Sequence, residues 1–241
     1  MFQRVECPDA ATCGGGNKTK AAWHAAWRAL LNVNDNDDVH IYGISLAPAP
    51  GQEENPRFKN LCAQFHRVGL CALGVTMYRP ARDTSTHVKK PAVRGCWESH
   101  RACAARVTGG RALFFEDDIR FRSGFTPVAL ARIADDMRLL PPSWDTVALT
   151  TSHVYWGFPV TPSMRLWRML FACTAAYVAS AATCARLAAT PYEKYRLPID
   201  KFYKKYAKTY AVVPMPISCG GFVSNIQSHR FERYEDTYWV M

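Results

Sequence analysis

The sequence predicts an α/β protein. This prediction rests on three consecutive segments between residues 39 and 78. Residues 39–46 form a short apolar run rich in β-branched and aromatic residues, which is typical of a buried strand. Residues 57–68 have the spacing of an amphipathic helix, and residues 70–78 form a second apolar run. This strand–helix–strand order is the usual opening of a parallel α/β sheet.

The rest of the chain continues the alternation. Residues 97–108 are helical in character and end at Gly109-Gly110, after which an apolar strand covers residues 112–115. Thr126-Pro127 combines an N-cap with a proline at the first helical position, so a helix is expected from there to about Leu140. Further strands are predicted at 144–150, 170–180 and 210–218, and further helices at 181–189 and 199–208.

Residues 1–38 are predicted to form an appendage to the main domain, which covers residues 39–241. Within the appendage, a glycine run precedes one short helix over residues 21–31, and a run of Asn and Asp follows it. Trp23 and Trp27 lie one helical turn apart, so one face of this helix is expected to dock, most simply on the domain itself.

Composition favours a cytoplasmic protein. The chain is 49% hydrophobic and 21% charged, which is ordinary for a globular protein. It has no apolar run of the roughly 18–20 residues that span a bilayer, no apolar signal segment at the start and no ER-retention signal at the end. The nine cysteines include no C-x-x-C pair, so free thiols in a reducing compartment are expected.

The net charge of +10 indicates an anionic partner. Nucleic acid, anionic lipid and a charged nucleotide substrate all fit a basic surface. Nucleic acid is the least favoured of the three, because the sequence has no zinc-finger, RNP or helix-turn-helix pattern.

Glu116-Asp117-Asp118 is the strongest candidate site, because three adjacent carboxylates follow an apolar strand directly. Such a cluster is costly unless a cation is present. Ligands of open α/β sheets gather at the carboxyl ends of strands, and carboxylate oxygens suit Mg²⁺ or Mn²⁺. By itself the triplet is equally compatible with the solvated start of a loop.

The segment around the triplet resembles glycosyltransferase family 25. This family comprises the lipooligosaccharide galactosyltransferases and the procollagen hydroxylysine galactosyltransferases. The resemblance is carried by a Gly-Cys-x-x-Ser-His segment, a helix and an apolar strand ending in Glu-Asp-Asp. The matching positions here are Gly95, Cys96, Ser99, His100, Glu116, Asp117 and Asp118.

Four weaker sequence similarities extend the resemblance over about residues 39–228. They are His40–Leu46, Ala176–Ser180, Pro198–Asp200 and Phe222–Ile226. Two positions depart from the family: Ser45 replaces the usual Asn, and Asn225 replaces the usual Asp. The loop after the first strand also lacks the family's basic stretch, so donor affinity or identity is open to change here.

The resemblance implies a GT-A-like nucleotide-diphospho-sugar transferase fold, a single mixed sheet flanked by helices. It also implies a metal-dependent, inverting transfer of a hexose, galactose or glucose, from a UDP-sugar donor. The acceptor would be a hydroxyl of a glycan, a lipid-linked saccharide or a protein. Glu116 and Asp118 would hold Mn²⁺ or Mg²⁺, with Asp117 in support at the nucleotide sugar.

The other site residues each have a simpler interpretation beside the functional one. Asp200 is the candidate general base, or else a helix N-cap. Arg57 is a candidate phosphate contact or a surface helix arginine. His100 contacts donor or phosphate, or is a hydrogen-bonded structural histidine. Ser99 contacts the donor or caps its helix, and Ser45 lies where the family places a donor-binding residue.

Three other functions remain open at this point. A catalytically silent relative would bind a sugar nucleotide or a protein partner, and the altered Ser45 and Asn225 favour it. A nucleic-acid-binding protein would use the basic surface. A metal nuclease could use Glu-Asp-Asp, although the next carboxylates, Asp135 and Asp136, lie a helix away.

Overall fold

The computed structural model describes residues 1–4, 16–34, 37–86 and 90–219. Over these ranges the chain forms a large mixed sheet flanked by helices, together with a small two-stranded sheet. The predicted α/β class is confirmed, whereas the expectation of a single sheet is wrong. Among the helices described, none combines the length and apolar character needed to cross a membrane.

The strands follow one another as β1 (Phe2–Arg4), β2 (His40–Ile44), β3 (Thr76–Tyr78), β4 (Arg111–Glu116), β5 (Ile119–Phe121), β6 (Thr146–Ala148), β7 (His153–Pro159), β8 (Leu166–Ala172), β9 (Ala176–Ser180), β10 (Thr209–Val212) and β11 (Ile217–Cys219). The helices are α1 (Asn17–Leu31), α2 (Pro56–Arg67), α3 (Pro91–Ala104), α4 (Pro127–Met137), α5 (Ala181–Ala188), α6 (Tyr192–Tyr195) and α7 (Ile199–Tyr206), and Leu70–Leu73 form a 3₁₀ turn.

The large sheet has the strand order β1-β3-β2-β4-β9-β6-β10-β8-β7, and β5 pairs with β11 in the small sheet. Strands β3, β2 and β4 are parallel, as the strand–helix–strand pattern predicts. Strand β9 lies between β4 and β6 and runs antiparallel to both. Its first residue therefore lies beside the end of β4, where Phe115 is paired with Ala176.

Strand β4 is buried on both faces, because apolar core residues pack against it from both sides. Leu113 and Phe115 point to the side covered by α1, α2 and α4, and Phe114 points to the side covered by α3, α5 and α7. A strand buried on both faces has a continuous apolar sequence, which is why this segment could be recognised without alternation.

Three predicted strands are interrupted in the structure. Within 70–78, the left-handed Gly69 and Gly74 flank the 3₁₀ turn, so only Thr76–Tyr78 is extended. Within 170–180, a turn at Cys173, whose φ is 101°, separates β8 from β9. Within 210–218, β10 and β11 are separated by a segment with two prolines, which cannot donate to a sheet ladder.

The described part of residues 1–38 belongs to the main fold, so the appendage expectation does not hold for it. Strand β1 pairs with β3 at the sheet edge. Helix α1, which starts earlier than predicted, packs in the same core as α4 and β4. Trp27 is fully buried there, and its indole N–H donates to the carbonyl oxygen of Val68 at 2.9 Å.

Most of the described cysteines are free thiols, as expected, and one is not. Free cysteines are found at Cys62, Cys96, Cys103, Cys173, Cys184 and Cys219. Cys71 is disulfide-bonded, so the expectation of free thiols is wrong at this position.

Trp27→Ala tests whether α1 is structurally required. The substitution removes a fully buried indole packed on Phe115, Phe121 and Phe125, so unfolding free energy should fall by about 3–5 kcal/mol. Urea unfolding followed by circular dichroism would measure it. The control Leu139→Ala, at a side chain that is 61% exposed, should change stability by less than about 0.5 kcal/mol. Equal effects of the two variants would contradict the core position of α1.

Candidate functional site

The acidic triplet lies where three chain segments meet. Glu116 is the last residue of β4 and is aligned with Ile44, the last residue of β2. Ser45 follows β2 directly, and the turn before β9 approaches from the other side, where the backbone N–H of Glu116 donates to the carbonyl oxygen of Ala175 at 2.7 Å. Parallel strands and one antiparallel neighbour thus bring side chains from distant parts of the sequence together.

Arg57 forms ion pairs with two of the three carboxylates. Its Nε lies 3.0 Å from Oδ1 of Asp117, and its Nη2 lies 2.9 Å from Oδ2 of Asp118. The side chain comes from the first turn of α2, which begins at Pro56 and is capped by Asn55 through a 3.0 Å bond from the Arg57 N–H. The interpretation of Arg57 as a surface arginine is therefore wrong, since its side chain is 15% exposed.

Asp117 is held from two directions. The Ser45 hydroxyl donates to its Oδ2 at 2.7 Å, and Arg57 contacts the other carboxylate oxygen. Burial raises the pKa of Asp117 above its ordinary value, although the positive charge of Arg57 and the bond from Ser45 act against this shift. The structure thus joins Ser45, Arg57 and Asp117, all predicted site residues, in one network.

Asp118 is the least satisfied member of the triplet. Its Oδ2 pairs with Arg57, but its Oδ1 is buried and has no hydrogen-bond partner among the described residues. Burial raises the pKa of Asp118 to about 7, and the negative charge of Glu116 adds to the effect. A carboxylate oxygen in this condition carries an uncompensated desolvation cost.

Glu116 faces a different set of partners from its two neighbours. His100 Nε2 lies 3.2 Å from its Oε1, and the Thr174 hydroxyl donates to the same oxygen at 2.9 Å. Burial raises the pKa of Glu116, but the hydrogen bond and charge of His100, the Thr174 bond and Arg57 together bring it below the ordinary value. The triplet is thus divided between an arginine on one side and a histidine on the other.

His100 is fully buried on α3 and bonds through both ring nitrogens. Its Nδ1 lies 2.9 Å from the Tyr177 hydroxyl, which in turn lies 3.2 Å from the hydroxyl of Tyr203. The interpretation of His100 as a hydrogen-bonded structural histidine is therefore confirmed, and its contact with donor or phosphate stays a prediction.

The charges of the site fit a divalent cation. Three carboxylates are matched by one guanidinium, and one buried carboxylate oxygen lacks a partner in the described chain. Carboxylate oxygens of this kind suit Mg²⁺ or Mn²⁺. Glu116 and Asp118 are the predicted metal ligands, and of the two it is Asp118 that has the unpartnered oxygen.

Asp200 lies in the first turn of α7, where it is half-exposed. The N-cap of this helix is Pro198, so the interpretation of Asp200 as the cap is wrong. Its Oδ1 accepts a bond from the backbone N–H of Lys201 at 2.8 Å.

Burial raises the pKa of Cys96 well above its ordinary value, and the negative charges of Glu116, Asp200 and Asp118 raise it further, so these carboxylates share one electrostatic environment.

Ser99 is not bound to the triplet. Because α3 begins at Pro91, Ser99 lies inside the helix and cannot cap it; its hydroxyl donates to the carbonyl oxygen of Gly95 at 2.6 Å. It lines an open cleft of about 430 Å³ between the end of β3, α3 and the start of α6. Arg94 and Arg101 also line this cleft, each paired with a carboxylate, Asp83 and Glu98 respectively.

Three residues of the site were not predicted from the sequence. Thr174 and Tyr177 come from the β8–β9 region, where one continuous strand is expected and a turn is found. Cys96 could have been recognised, because Cys96 and His100 are one helical turn apart and face the same side of α3. The terminal segment Phe222–Ile226 lies outside the described residues.

Comparison with known proteins finds no relative of this chain. A scan against protein-family models finds no match for this chain, and a search of curated proteins finds none either.

The substitution Asp118→Asn tests whether burying the Asp118 carboxylate destabilises the fold, through the pH dependence of the stability. The pKa of Asp118 rises from 3.8 to about 7 on folding, so the folded state binds this proton more tightly. Its stabilising contribution is full below about pH 4 and is lost as the pH rises through about 7. Asparagine stays neutral, so without metal the variant should gain stability relative to wild type between about pH 5 and pH 8.

Thermal unfolding at several pH values would measure this difference. Asp135→Asn, at an exposed carboxylate on α4, serves as the matched control and should not show the trend. A constant difference between Asp118→Asn and wild type across this range would contradict the unfavourable burial of Asp118.

Proposed function

We propose that the chain is a metal-dependent glycosyltransferase that moves a hexose, galactose or glucose, from a UDP-sugar to an acceptor hydroxyl on a GT-A-like fold. The observation that carries the proposal is the acidic cluster at the ends of β2 and β4, with the buried, unpartnered Oδ1 of Asp118 among the described residues. A carboxylate cluster at strand ends is where an α/β sheet binds an anionic ligand through a cation.

Glu116 and Asp118 would hold the ion, Mn²⁺ or Mg²⁺, which when bound would neutralise the diphosphate of the leaving group. The chain's own contribution is orientation. Arg57 and Ser45 fix Asp117, and Thr174 and His100 fix Glu116. Rigid carboxylates of this kind need little reorganisation when charge develops on a substrate.

Asp200 is the proposed general base that removes the proton of the acceptor hydroxyl. Its carboxylate lies in the first turn of α7, where the backbone N–H of Lys201 donates to it. The carboxylate is half-exposed and accessible, and it shares the electrostatic environment of Cys96 with Glu116 and Asp118. Accessibility is what a base for an incoming acceptor requires.

The cleft beside Ser99 is proposed to accommodate an uncharged part of the substrate. Its volume of about 430 Å³ falls in the usual range for small-molecule sites, which is roughly 300–1,000 Å³. Because Arg94 and Arg101 are already paired with carboxylates, hydroxyls of a sugar or the edge of a base suit this surface better than a diphosphate.

A second candidate, a catalytically silent relative that binds a sugar nucleotide or a partner, is favoured by one observation. Arg57 already neutralises part of the charge on Asp117 and Asp118, so the triplet can be stable without an ion. In that case UDP with Mn²⁺ would raise the melting temperature while no sugar is transferred or hydrolysed.

Metal-dependent donor turnover is the first functional test. The purified chain is incubated with UDP-Gal, UDP-Glc or UDP-GlcNAc, with and without Mn²⁺, and UDP release is measured. One hexose donor should be used only with metal, and Asp118→Asn should lower turnover by about 100-fold or more. Asp135→Asn on α4 is the control and should behave as wild type. Metal-independent turnover, or full activity in Asp118→Asn, would rule out the proposed metal role.

The substitution Asp200→Asn distinguishes a role of Asp200 as general base from a role in binding the donor. Loss of a general base should lower kcat by about 10²–10⁴-fold while KM for the UDP-sugar stays nearly unchanged. Steady-state kinetics with a saturating acceptor would measure both constants. Retained kcat, or a loss of folding with no effect on the remaining folded fraction, would leave Asp200 with a structural role only.

A further inference from the structure

Cys96, His100 and Glu116 form a cluster of three different ligand types beside the acidic triplet. Their ligand atoms all lie within 4.8 Å of one another. Cys96 and His100 are one turn apart on α3, and Glu116 ends β4, so two rigid elements hold the cluster. Thiolate, imidazole and carboxylate are the ligands of Zn²⁺ and similar transition metals, whereas Mn²⁺ and Mg²⁺ prefer oxygen alone.

The ligand atoms lie within 4.8 Å of one another, which can be compared with the spacing around a bound ion. Zn–S bonds of about 2.3 Å and Zn–N bonds of about 2.0 Å in a tetrahedral site put ligand atoms about 3.5 Å apart. His100 Nε2 and Glu116 Oε1 are already 3.2 Å apart. Glu116, whose side chain is 25% exposed, provides the open side from which an ion can enter.

The surroundings of His100 supply an independent observation. Metal-bound histidines usually hydrogen-bond through the nitrogen that does not bind the metal, which fixes the ring. The Tyr177 hydroxyl lies 2.9 Å from Nδ1, and Tyr203 contacts Tyr177 in turn, so Nε2 is directed at Glu116. Thr174 orients Glu116 in the same way through a 2.9 Å bond. Two of the three groups, His100 and Glu116, thus have supporting contacts that fix their orientation.

We infer that Cys96, His100 and Glu116 form a three-ligand site for Zn²⁺ or a similar transition-metal ion, with a fourth position open to solvent. On binding, the Cys96 S–H bond is replaced by an S–metal bond, and the thiol proton is released to water. The hydrogen bond between His100 Nε2 and Glu116 is also broken, and the ring proton moves from Nε2 to Nδ1, which then donates to the Tyr177 hydroxyl. The site shares Glu116 with the proposed Mn²⁺ or Mg²⁺ site, but it requires no nucleotide and uses Cys96 and His100 in place of Asp118.

Cobalt substitution tests the site directly. Co²⁺ is titrated into the metal-free protein without nucleotide, and the thiolate-to-cobalt charge-transfer band is recorded in the near ultraviolet. Wild type should bind one ion with this band, and Zn²⁺ should displace it. Cys96→Ser should abolish the band, and Tyr177→Phe should weaken binding by about tenfold or more through loss of the contact to His100.

Two controls separate this site from other thiols and from the triplet. Cys62→Ser, at a half-buried free thiol on α2, should keep the band. Asp118→Asn should also keep it while losing UDP-sugar turnover, so the failure of one proposal is distinguishable from the failure of the other. Absence of a band in wild type, or a band that persists in Cys96→Ser, overturns the inference.

A measurement on the wild-type chain avoids dependence on variant folding. Cys96 is alkylated with and without Zn²⁺, and the modification is located by mass spectrometry. Zn²⁺ should slow alkylation of Cys96 and leave Cys62 unaffected. Equal rates at Cys96 in both conditions would also overturn the inference.

Discussion

The paired contact of Arg57 with Asp117 and Asp118 is the interaction on which the acidic end of β4 depends. Three consecutive carboxylates at a buried strand end repel one another, and burial increases the cost. Arg57 offsets part of this repulsion from the first turn of α2, at distances of 3.0 and 2.9 Å. Because Ser45 also binds Asp117, the end of β2, the start of α2 and the end of β4 are fixed together.

The triplet has two chemically different sides, which gives its members different roles. Asp117 and Asp118 face a permanent positive charge. Glu116 bonds to His100 and Thr174, and His100 in turn bonds to Tyr177. In the two proposals, Asp118 contributes to an ion bound by oxygen alone, Cys96 and His100 contribute to a softer ion, and Glu116 is shared by both. A single short sequence can support both kinds of chemistry because successive residues leave a strand end in different directions.

The sequence was sufficient for the parts of the fold that depend on local pattern. The buried strand β4, helix α2 and the parallel pairing of β2 and β3 follow from apolar periodicity, and Thr126 and Pro127 correctly mark the start of α4. The triplet was recognisable because charge directly after an apolar run is unusual.

What could not be predicted depends on contacts between distant residues. The antiparallel insertion of β9 and the docking of α1 are decided by tertiary packing, which periodicity does not encode. The same holds for the site, since Arg57 and Asp117 are far apart in sequence and neither residue alone indicates an ion pair.

The reversed direction of β9 determines how this site can vary between sequences. In a fully parallel sheet, only the loops that leave the strands reach the ligand edge. Here the three-residue connection that enters β9 also lies at that edge, and its first residue, Cys173, has a positive φ of 101°. Changes in its length would move Thr174 relative to Glu116 while the five paired positions of β4 and β9 stay in register. Evolution or protein engineering can therefore reshape the site at this connection without rebuilding the sheet.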